Sequence, residues 1–268
     1  MKIHVLGKSG MLGNYVMSYL SKHYECIGYN RENFDCSLDS YNLDNLDCQE
    51  GDVVINCIGV IKPRMSEVGE ENAIFVNGIL PRLLSKHCSR KGAKFYHITT
   101  DCVFSGLKGV EYSENDNHDA MDLYGISKSI GEPEDCCVIR TSIIGEEENN
   151  KRSFIEWAKS EKKNSVFGYS NHYWNGVTCL ELSKVLHSFI KEDTYWKGTR
   201  HVFTEGSYSK LDMVNMISEI WDLELKVSAK AAMPDCNRML TSIYEERYVS
   251  LGLREQLLEL KEFDLLRG

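Results

Sequence analysis

Short apolar runs alternate with longer segments of helical periodicity in the first half of the chain. The run DVVINCI at 52–58 is apolar almost throughout, which is typical of a strand buried on both faces of a sheet. The pattern predicts five strands, at Lys2–Leu6, Cys26–Tyr29, Asp52–Ile58, Lys94–Thr99 and Cys136–Ser142. It predicts helices between them at Met11–Leu20, Asn72–Lys91 and Leu123–Gly131.

This alternation indicates the fold class. Strands that are separated by helices pair in parallel through right-handed crossovers, so we predict an α/β fold with a Rossmann-type doubly wound parallel sheet. After residue 145 the pattern loosens. The charged run at 146–152 predicts a loop, and helices are predicted at Ser153–Lys162 and Lys210–Trp221. We predict a sheet domain over residues 1–145 and a smaller C-terminal α/β lobe over residues 146–268, and leave open whether the chain crosses back to the sheet.

Composition and charge exclude several function classes. The 268-residue chain is 42% hydrophobic and 26% charged, as expected for a globular protein. Its net charge is −9, without a basic run longer than a pair. We exclude nucleic acid as a partner, because binding to phosphate backbones needs a positive face. No stretch approaches the roughly 20 apolar residues of a membrane span, so we expect no membrane partner and a cytoplasmic protein.

The ten cysteines are spread along the chain without a CxxC pair, and several stand inside apolar runs. A thiol in such a run behaves as a small apolar group, so we interpret the cysteines as reduced and buried rather than as a disulfide framework. The eight histidines are equally scattered. We therefore predict no metal site.

A glycine-rich turn follows the first predicted strand and opens the first helix. Glycine permits a sharp turn and a close approach of the backbone to a pyrophosphate, and a helix N-terminus presents free N–H groups to that anion. A nucleoside-triphosphate P-loop is excluded because Lys2 stands where such a loop needs its first glycine. We predict a dinucleotide-binding turn formed by Gly7, Lys8, Ser9, Gly10, Met11, Leu12 and Gly13.

Basic residues near this turn favour NADP(H). Arg31 follows the second strand, where a carboxylate would select a ribose 2′-hydroxyl and a guanidinium a 2′-phosphate. Lys8 adds a second positive charge, and the alternative for Arg31 is a solvated loop arginine. We predict NADP(H) as the preferred cofactor and leave NAD(H) open. Further cofactor contacts are predicted from Asn30, Asp35, Cys36, Cys57, Ile58 and Gly59.

Tyr124 and Lys128 stand four residues apart, so a helix places them on one face. A nearby ammonium favours the phenolate, and the pKa of Tyr124 is expected to fall from about 10 toward the working pH. Tyr124 then serves as general acid for a carbonyl oxygen whose carbon receives hydride. Thr100, at the end of a predicted strand, is placed to donate a hydrogen bond to the same oxygen. We predict these three as the catalytic residues.

The motifs together resemble the extended short-chain dehydrogenase/reductases, which share the GxxGxxG spacing, and within them the dTDP-4-dehydrorhamnose reductase family of nucleotide-sugar reductases. ITTDCVFSG at 98–106 is similar to that family's Ser/Thr-T-D-Y-V-F-x-G segment, and YGISKSIGE at 124–132 to its YGxxKxxGE. RTS at 140–142 matches a further strand, and MPDCNRML at 233–240 resembles R-P-x-x-Ser/Asn-R-L. The resemblance covers essentially the whole chain and is more specific in its first half.

The resemblance implies an NAD(P)-binding domain at 1–145, a substrate-binding lobe at 146–268, and reduction of the 4-keto group of a dTDP- or UDP-linked 4-keto-6-deoxysugar. It supports the roles of Thr100, Tyr124 and Lys128 and places Asn77 on the long helix under the site. An aromatic loop around Trp174 either packs the lobe or forms a platform for base or sugar. The predicted substrate contacts are Asp101, Val103, Phe104, Trp174 and Arg238.

Two positions depart from the family pattern, with Cys102 in place of tyrosine and Met233 in place of arginine. Related dehydratases carry Thr-Asp-Glu where this chain has Thr-Asp-Cys, which argues against dehydration. Lys62 and Arg64 are either diphosphate contacts or solvated surface charges. Two alternatives stay open: a non-catalytic regulatory subunit of the same fold, like the β subunit of methionine adenosyltransferase, and an epimerase or epimerase/reductase. A homodimer is also left open.

Overall fold

A computed structural model describes residues 1–148 and 151–267. In chain order, its strands are β1 (Ile3–Leu6), β2 (Cys26–Tyr29), β3 (Val53–Asn56), β4 (Lys94–Thr100), β5 (Cys137–Thr141), β6 (Ile143–Ile144), β7 (Ser165–Tyr169), β8 (His172–Trp174), β9 (Val177–Thr178), β10 (Gly198–His201), β11 (Tyr208–Ser209), β12 (Lys226–Lys230) and β13 (Cys236–Asn237). Its α-helices are α1 (Met11–Leu20), α2 (Met65–Val68), α3 (Glu70–Ile74), α4 (Leu80–Lys91), α5 (Leu123–Ile130), α6 (Phe154–Ser160), α7 (Cys179–Lys191), α8 (Lys210–Ile220) and α9 (Leu253–Arg267). No helix in this part of the chain is both long enough and apolar enough to cross a membrane.

The chain divides into two compact units, each built from three segments. Unit 1 comprises residues 1–104, 117–140 and 186–200, and unit 2 comprises residues 105–116, 141–185 and 201–268. The units therefore do not correspond to a single cut in the sequence. The division into a sheet domain at 1–145 and a smaller lobe at 146–268 stays a prediction.

Unit 1 is built on a six-stranded sheet in the order β10-β5-β4-β3-β1-β2. β1 pairs in parallel with β2 on one side and with β3 on the other, and β3 pairs in parallel with β4. The strand order reverses at β1. In doubly wound sheets ligands bind at such a reversal, beyond the carboxyl ends of the strands. The predicted Rossmann-type α/β sheet is confirmed.

The predicted strands of unit 1 agree with the structure to within two residues at each end. Every residue of β1 and β3 is buried, and for β3 the continuous apolar run predicted this. β4 extends one residue farther than predicted and ends at Thr100, while β3 is shorter than the apolar run around it. α1 has the predicted bounds, and α5 ends one residue early because Gly131 caps it.

The long helix between β3 and β4 is not uniform, which corrects the single α-helix predicted over Asn72–Lys91. A π-helical turn at Phe75–Ile79 separates α3 from α4. Pro81 has no N–H and cannot donate to the carbonyl of Asn77, four residues before it, so the regular α-helical hydrogen bonds are interrupted here. The turn buries Asn77 completely.

The core of unit 1 packs one face of the sheet against this helix. Leu6, Val54 and Phe95 belong to one buried cluster with Leu80 and Leu84 of α4. The two leucines lie four residues apart, so they project from the same face of α4. Burying side chains of this size stabilises the fold by roughly 1.5–3 kcal/mol each. The core therefore holds the strand ends at fixed relative positions.

Within the described residues, unit 2 contains short paired strands, the helices α6, α8 and α9, and the first part of α7. β8 pairs with β11 and β13, β7 pairs with β12, and β6 pairs with β9. α8 begins at a reciprocal capping box between Ser209 and Asp212 and ends one residue before the predicted position. α6 is shorter than the helix predicted at Ser153–Lys162. Residues 149 and 150 of the loop predicted at 146–152 lie outside the described residues.

Candidate active site

The glycine turn after β1 has a shape that larger residues would not permit. Gly7 has a positive φ of 79°, and the N–H groups of Gly7 and Lys8 both donate to the carbonyl of Tyr29. A Cβ on Gly13 would lie 2.1 Å from the carbonyl oxygen of Gly7. A Cβ on Gly10 would meet only that same oxygen, at 3.4 Å, so the turn is open beside Gly10. With the free N–H groups of α1 next to it, this cradle fits a dinucleotide pyrophosphate.

Lys8 lies over the end of β2. A Cβ on Gly28 would be 2.5 Å from the Cδ of Lys8, so only glycine at position 28 leaves room for the lysine stem. Arg31 is exposed in the turn that follows β2. Asn30 organises that turn, because its side-chain oxygen accepts a hydrogen bond from the backbone N–H of Glu32 at 3.2 Å.

The end of β3 meets the glycine turn. A Cβ on Gly7 would be 3.1–3.2 Å from atoms of Cys57 and Ile58, so the structure brings these predicted cofactor contacts to the turn. Burial raises the pKa values of the Cys57 and Cys36 thiols to about 12, and both stay protonated near neutral pH. Asp35 accepts a hydrogen bond from the N–H two residues later, at 2.9 Å. Cofactor contacts by Asp35 and Cys36 remain a prediction.

Lys128 reaches from α5 to the residues that follow β3. Its Nζ lies 2.9 Å from the position that a Cβ on Gly59 would occupy, and the side-chain oxygen of Asn77 lies 3.5 Å from the same point. The lysine is 6% exposed. Burial lowers its pKa to about 8, against the opposing effects of Glu132 and Cys57. The amino group of Lys128 is therefore held against Gly59, in the segment that follows β3.

The side chain of Thr100 lies near the phenol of Tyr124 and lowers the pKa of that phenol. The Thr100 hydroxyl also donates to the carboxylate of Asp101 at 3.1 Å and accepts from the N–H of Cys102 at 3.1 Å. Tyr124 is half-buried. The structure thus brings the predicted hydroxyl pair together at the carboxyl end of β4.

The predicted decrease in the pKa of Tyr124 is wrong. Burial raises the pKa of this phenol, the nearby Cys102 adds to the increase, and the hydrogen bond with Thr100 only partly opposes it. Lys128 is not among the five largest influences on this pKa, and the lysine's ammonium lies against Gly59. Helical spacing placed tyrosine and lysine on one face, but desolvation decides the proton affinity of the phenol.

The start of α5 is fixed by two features. The Asp122 carboxylate caps the helix by accepting from the N–H of Gly125 at 2.9 Å, and its other oxygen accepts from Nζ of Lys62 at 2.8 Å. A Cβ on Gly125 would lie 2.2 Å from the carbonyl oxygen of Cys102, so glycine is needed for the helix to rest on the end of β4. Asp122 was not predicted from the sequence, although aspartate just before a helix is a recognisable cap.

Lys62 and Arg64 were proposed as diphosphate contacts or surface charges. Lys62 forms the ion pair with Asp122, and Arg64 forms one with Glu67 at 3.4 Å. Both cations thus have carboxylate partners on unit 1. The sequence could not show this, because the partner of Lys62 lies far along the chain.

Asn77 links the loop after β3 to α5. Its side-chain oxygen accepts from the N–H of Val60 at 2.8 Å, and its Nδ2 donates to the carbonyl of Val60 at 3.0 Å and to the Ser127 hydroxyl at 3.2 Å. The π-helical turn carries this asparagine into contact with both segments. Asn77 therefore lies close to Lys128.

A buried ion pair that the sequence analysis missed adjoins the site. Arg140 donates to both carboxylate oxygens of Glu132, at 3.1 and 2.5 Å, and its guanidinium lies 5.0 Å from the ring centre of Phe104. Phe104 and Val103 are completely buried. Their side chains support the strand end from inside, so only their backbone is left for the substrate contact predicted for them. Asp101 is 4% exposed and is engaged by Thr100.

Unit 2 holds the remaining predicted substrate residues. Arg238 donates from Nη2 to the carbonyl of Ser105 at 3.2 Å, and its Cγ would lie 3.1 Å from a Cβ on Gly106. Trp174 is 4% exposed, and the Nζ of Lys210 lies 5.6 Å from its ring centre. The aromatic side chain is thus packed within unit 2. Met233, one of the two departures from the family pattern, is 94% exposed.

No three potential metal ligands come together anywhere in residues 1–148 or 151–267. With the site described, comparison with known proteins decides the family. The family model of the RmlD substrate binding domain matches residues 1–239. This chain belongs to that family. The family is one of nucleotide-sugar reductases in the NAD(P)-dependent oxidoreductase class, which confirms the resemblance found in the motifs.

Three similar proteins illustrate the relationship. The chain is 26% identical over 236 residues to the spore coat polysaccharide biosynthesis protein SpsK of Bacillus subtilis, covering 84% of this chain and 81% of that protein. It is 32% identical over 139 residues to the probable low-salt glycan biosynthesis reductase Agl14 of Haloferax volcanii, covering 48% of this chain and 46% of that protein. A crystal structure of dTDP-4-dehydrorhamnose reductase from Bacillus anthracis in complex with NADP has the same fold, with a TM-score of 0.80, 19% identity and coverage of 98% and 99% of the two chains.

Proposed function

We propose that this RmlD-family protein reduces the 4-keto group of a dTDP- or UDP-linked 4-keto-6-deoxysugar with NADPH. One observation carries the proposal: the side chains of Thr100 and Tyr124 interact at the carboxyl end of β4, and the buried ammonium of Lys128 lies against Gly59, in the segment after β3 that also contacts the glycine turn. The names of the relatives, reductases of glycan biosynthesis among them, support the same reaction class.

In this proposal, different residues of unit 1 donate the proton and stabilise the developing charge. When bound, the dihydronicotinamide supplies the hydride. Tyr124 donates the proton to the carbonyl oxygen, and its raised pKa keeps the phenol protonated at neutral pH, as a proton donor requires. Thr100 stabilises the developing alkoxide when its hydroxyl turns from Asp101 to that oxygen. Lys128 adds positive charge from the floor of the site.

The preference for NADPH rests on Lys8 and Arg31. The stem of Lys8 lies over Gly28, and Arg31 is exposed in the turn after the same strand. Both cations are suited to a 2′-phosphate, and NADH is the weaker alternative. On the substrate side, Arg238 contacts the diphosphate, and Trp174 supports the loop around it. A cytoplasmic location and a homodimer are further parts of the proposal.

Two other functions are open to the same test. A regulatory subunit of this fold would bind nucleotide without turnover, and it has no chemical need for Thr100, Tyr124 and Lys128 together. An epimerase/reductase would need a further acid/base pair, which the residues assigned here do not supply. Reduction is therefore the function that uses the observed side chains most fully.

The decisive experiment mixes the purified protein with a panel of dTDP- and UDP-linked 4-keto-6-deoxysugars and follows the loss of NADPH absorbance. We expect oxidation of NADPH with at least one of these sugars, and a rate at least about 100-fold lower with the matched Tyr124→Phe variant. Binding of NADPH without oxidation on any sugar would contradict the reductase and favour the regulatory subunit. Solvent deuterium appearing at carbons next to the ketone would favour the epimerase.

A further inference from the structure

His118 makes two polar contacts that no sequence motif predicts. Its Nε2 lies 2.6 Å from Nη2 of Arg140, and its Nδ1 lies 2.5 Å from the hydroxyl oxygen of Ser129 on α5. Its side chain is 26% exposed, so protons reach it from solvent. One imidazole thus connects the catalytic helix to the buried Glu132–Arg140 pair.

These contacts fix the protonation state of His118. A guanidinium can only donate hydrogen bonds, so Nε2 must accept from Arg140. The ring proton is therefore on Nδ1, which donates to the Ser129 hydroxyl, and the imidazole is neutral. A second proton on Nε2 would place two cationic donors against each other.

The groups around His118 favour this neutral form. Burial lowers the pKa of His118 and Arg140 lowers it further, whereas Glu132 and Asp119 raise it and only partly compensate. The carboxylate of Glu132 lies 3.5 Å from Nε2, so a protonated imidazole can form an ion pair with it. Protonation would exchange the Arg140 contact for an ion pair with Glu132.

The segment that begins at His118 also supports the end of β4. The N–H groups of Asp119 and Ala120 donate to the carbonyl of Val103 at 3.2 and 3.1 Å. The ring of Phe104 contacts His118 edge-on, with the ring centres 5.7 Å apart. Val103 and Phe104 follow Thr100 by only a few residues. His118 therefore lies between the segment that positions Thr100 and the helix that carries Tyr124 and Lys128.

We propose that neutral His118 is a positioning residue, which holds the end of β4 and α5 in one arrangement and releases it on protonation. This inference rests on the proposed reductase function. It predicts that kcat decreases at acidic pH, forming an acidic limb in the pH profile. The limb would report the protonation of His118, which does not touch the substrate. Asp119, Glu132 and Arg140 are the charged groups that face the imidazole and set where that limb lies.

The test compares the wild type with His118→Gln and His118→Leu. Glutamine can accept from Arg140 and does not titrate, so His118→Gln should retain kcat within about threefold and lose the acidic limb. His118→Leu should lower kcat about 10-fold at every pH, with the KM for NADPH little changed, because misplacing catalytic groups by less than 1 Å has effects of this size. An acidic limb that persists in His118→Gln, or an unchanged kcat in His118→Leu, would overturn the proposal.

Nitrogen-15 NMR of the histidine rings provides a readout that does not depend on turnover. We expect the His118 resonances of the Nδ1–H tautomer near neutral pH, and their loss in His118→Gln identifies them. An Nε2–H tautomer, or a charged ring at neutral pH, would contradict the inference even in an active enzyme. If the wild type oxidises no NADPH while the Nδ1–H tautomer is present, the reductase function fails and the contact itself stands.

Discussion

The ammonium of Lys128 lies where the side chain of any residue other than glycine at position 59 would have to be. Its Nζ is 2.9 Å and its Cε 3.4 Å from the position of a Cβ on Gly59. The lysine comes from α5 and the glycine from the loop after β3, so this contact sets how closely the catalytic helix approaches the proposed cofactor site.

Replacing Gly59 with alanine should impair catalysis more than stability. The added methyl group meets the flexible end of Lys128, so the lysine shifts while the backbone stays in place. We expect kcat to fall about 10- to 100-fold and the melting temperature to change little. Steady-state kinetics and thermal melting check this, with Ile126→Ala on the exposed face of α5 as control. An unchanged kcat in Gly59→Ala would mean that Lys128 has no positional role.

Removing the phenol of Tyr124 should abolish most of the turnover. In Tyr124→Phe the ring remains and the proton donor is lost, so kcat should fall by about 10²–10⁴. NADPH affinity, measured by fluorescence titration, should change less than threefold. The control is Tyr41→Phe, which removes the hydroxyl of an exposed ring that packs on Phe75. Substantial turnover in Tyr124→Phe would assign the proton to another group.

The lowered pKa of Lys128 predicts an alkaline limit to activity. The ammonium is present below about pH 8 and is lost as the pH rises through that value. kcat/KM, which reports ionisations of the free enzyme, should therefore decline above about pH 8. Carbon-13 NMR of the lysine Cε should show one resonance titrating there, and Lys128→Met should remove it. A lysine that titrates only near 10 would contradict the burial of this ammonium.

The same shift has a consequence for stability. The folded-state pKa of Lys128 lies below its ordinary value of 10.5, so the unfolded chain binds more protons between about pH 8 and 10.5. The contribution of this lysine to the free energy of unfolding should increase with pH across that window. Urea denaturation of the wild type and Lys128→Met at pH 8 and pH 10 measures the difference. A difference between the two proteins that stays constant with pH would count against the shift.

Cofactor preference should depend on an uncharged position, Gly28. In Gly28→Ala the new methyl would lie 2.5 Å from Cδ of Lys8 and displace the lysine from the end of β2. We expect the Kd for NADPH to rise about 10-fold, the value of one lost charge-assisted contact, and the Kd for NADH to change little. Lys8→Met and Arg31→Ala should show the same selectivity. Equal losses for both cofactors would remove the argument for a 2′-phosphate contact.

Asn77 should contribute strongly to stability. Asn77→Ala removes hydrogen bonds to both backbone groups of Val60 and to Ser127, and leaves buried partners unsatisfied. The free energy of unfolding should decrease by about 2–4 kcal/mol. Urea denaturation measures this, with exposed Asn164→Ala as control and an expected change below about 0.5 kcal/mol. A loss under 1 kcal/mol would show that the loop after β3 rearranges freely.

Local patterns in the sequence were sufficient for the sheet and the glycine turn. The apolar runs of β1 and β3 are buried on both faces and are short, so periodicity and length identify them directly. Gly7, Gly10 and Gly13 are close in sequence and act through the backbone, which makes their spacing informative. Tyr124 and Lys128 were found because a helix relates positions four residues apart.

Properties that depend on tertiary packing could not be predicted from local sequence patterns. The proton affinity of Tyr124 follows from how deeply α5 is buried, and no pattern along the chain measures that depth. The contact of His118 with Arg140 joins residues 22 positions apart, across α5. The π-helical turn was foreseeable in part, because Pro81 stands inside the predicted helix and interrupts its hydrogen bonds.

That wider turn also limits which changes in chain length the protein tolerates. Each residue advances an α-helix by about 100°, so a deletion within Phe75–Ile79 that restored regular winding would rotate everything beyond it by that angle. After such a rotation the helix could not keep both sets of contacts. If Leu80, Leu84 and Cys88 still faced the sheet, Asn77 would turn away from Val60. If Asn77 kept its contact with Val60, those three side chains would turn away from the sheet. Homologues that keep both contacts should therefore keep the length of this segment even where its side chains differ.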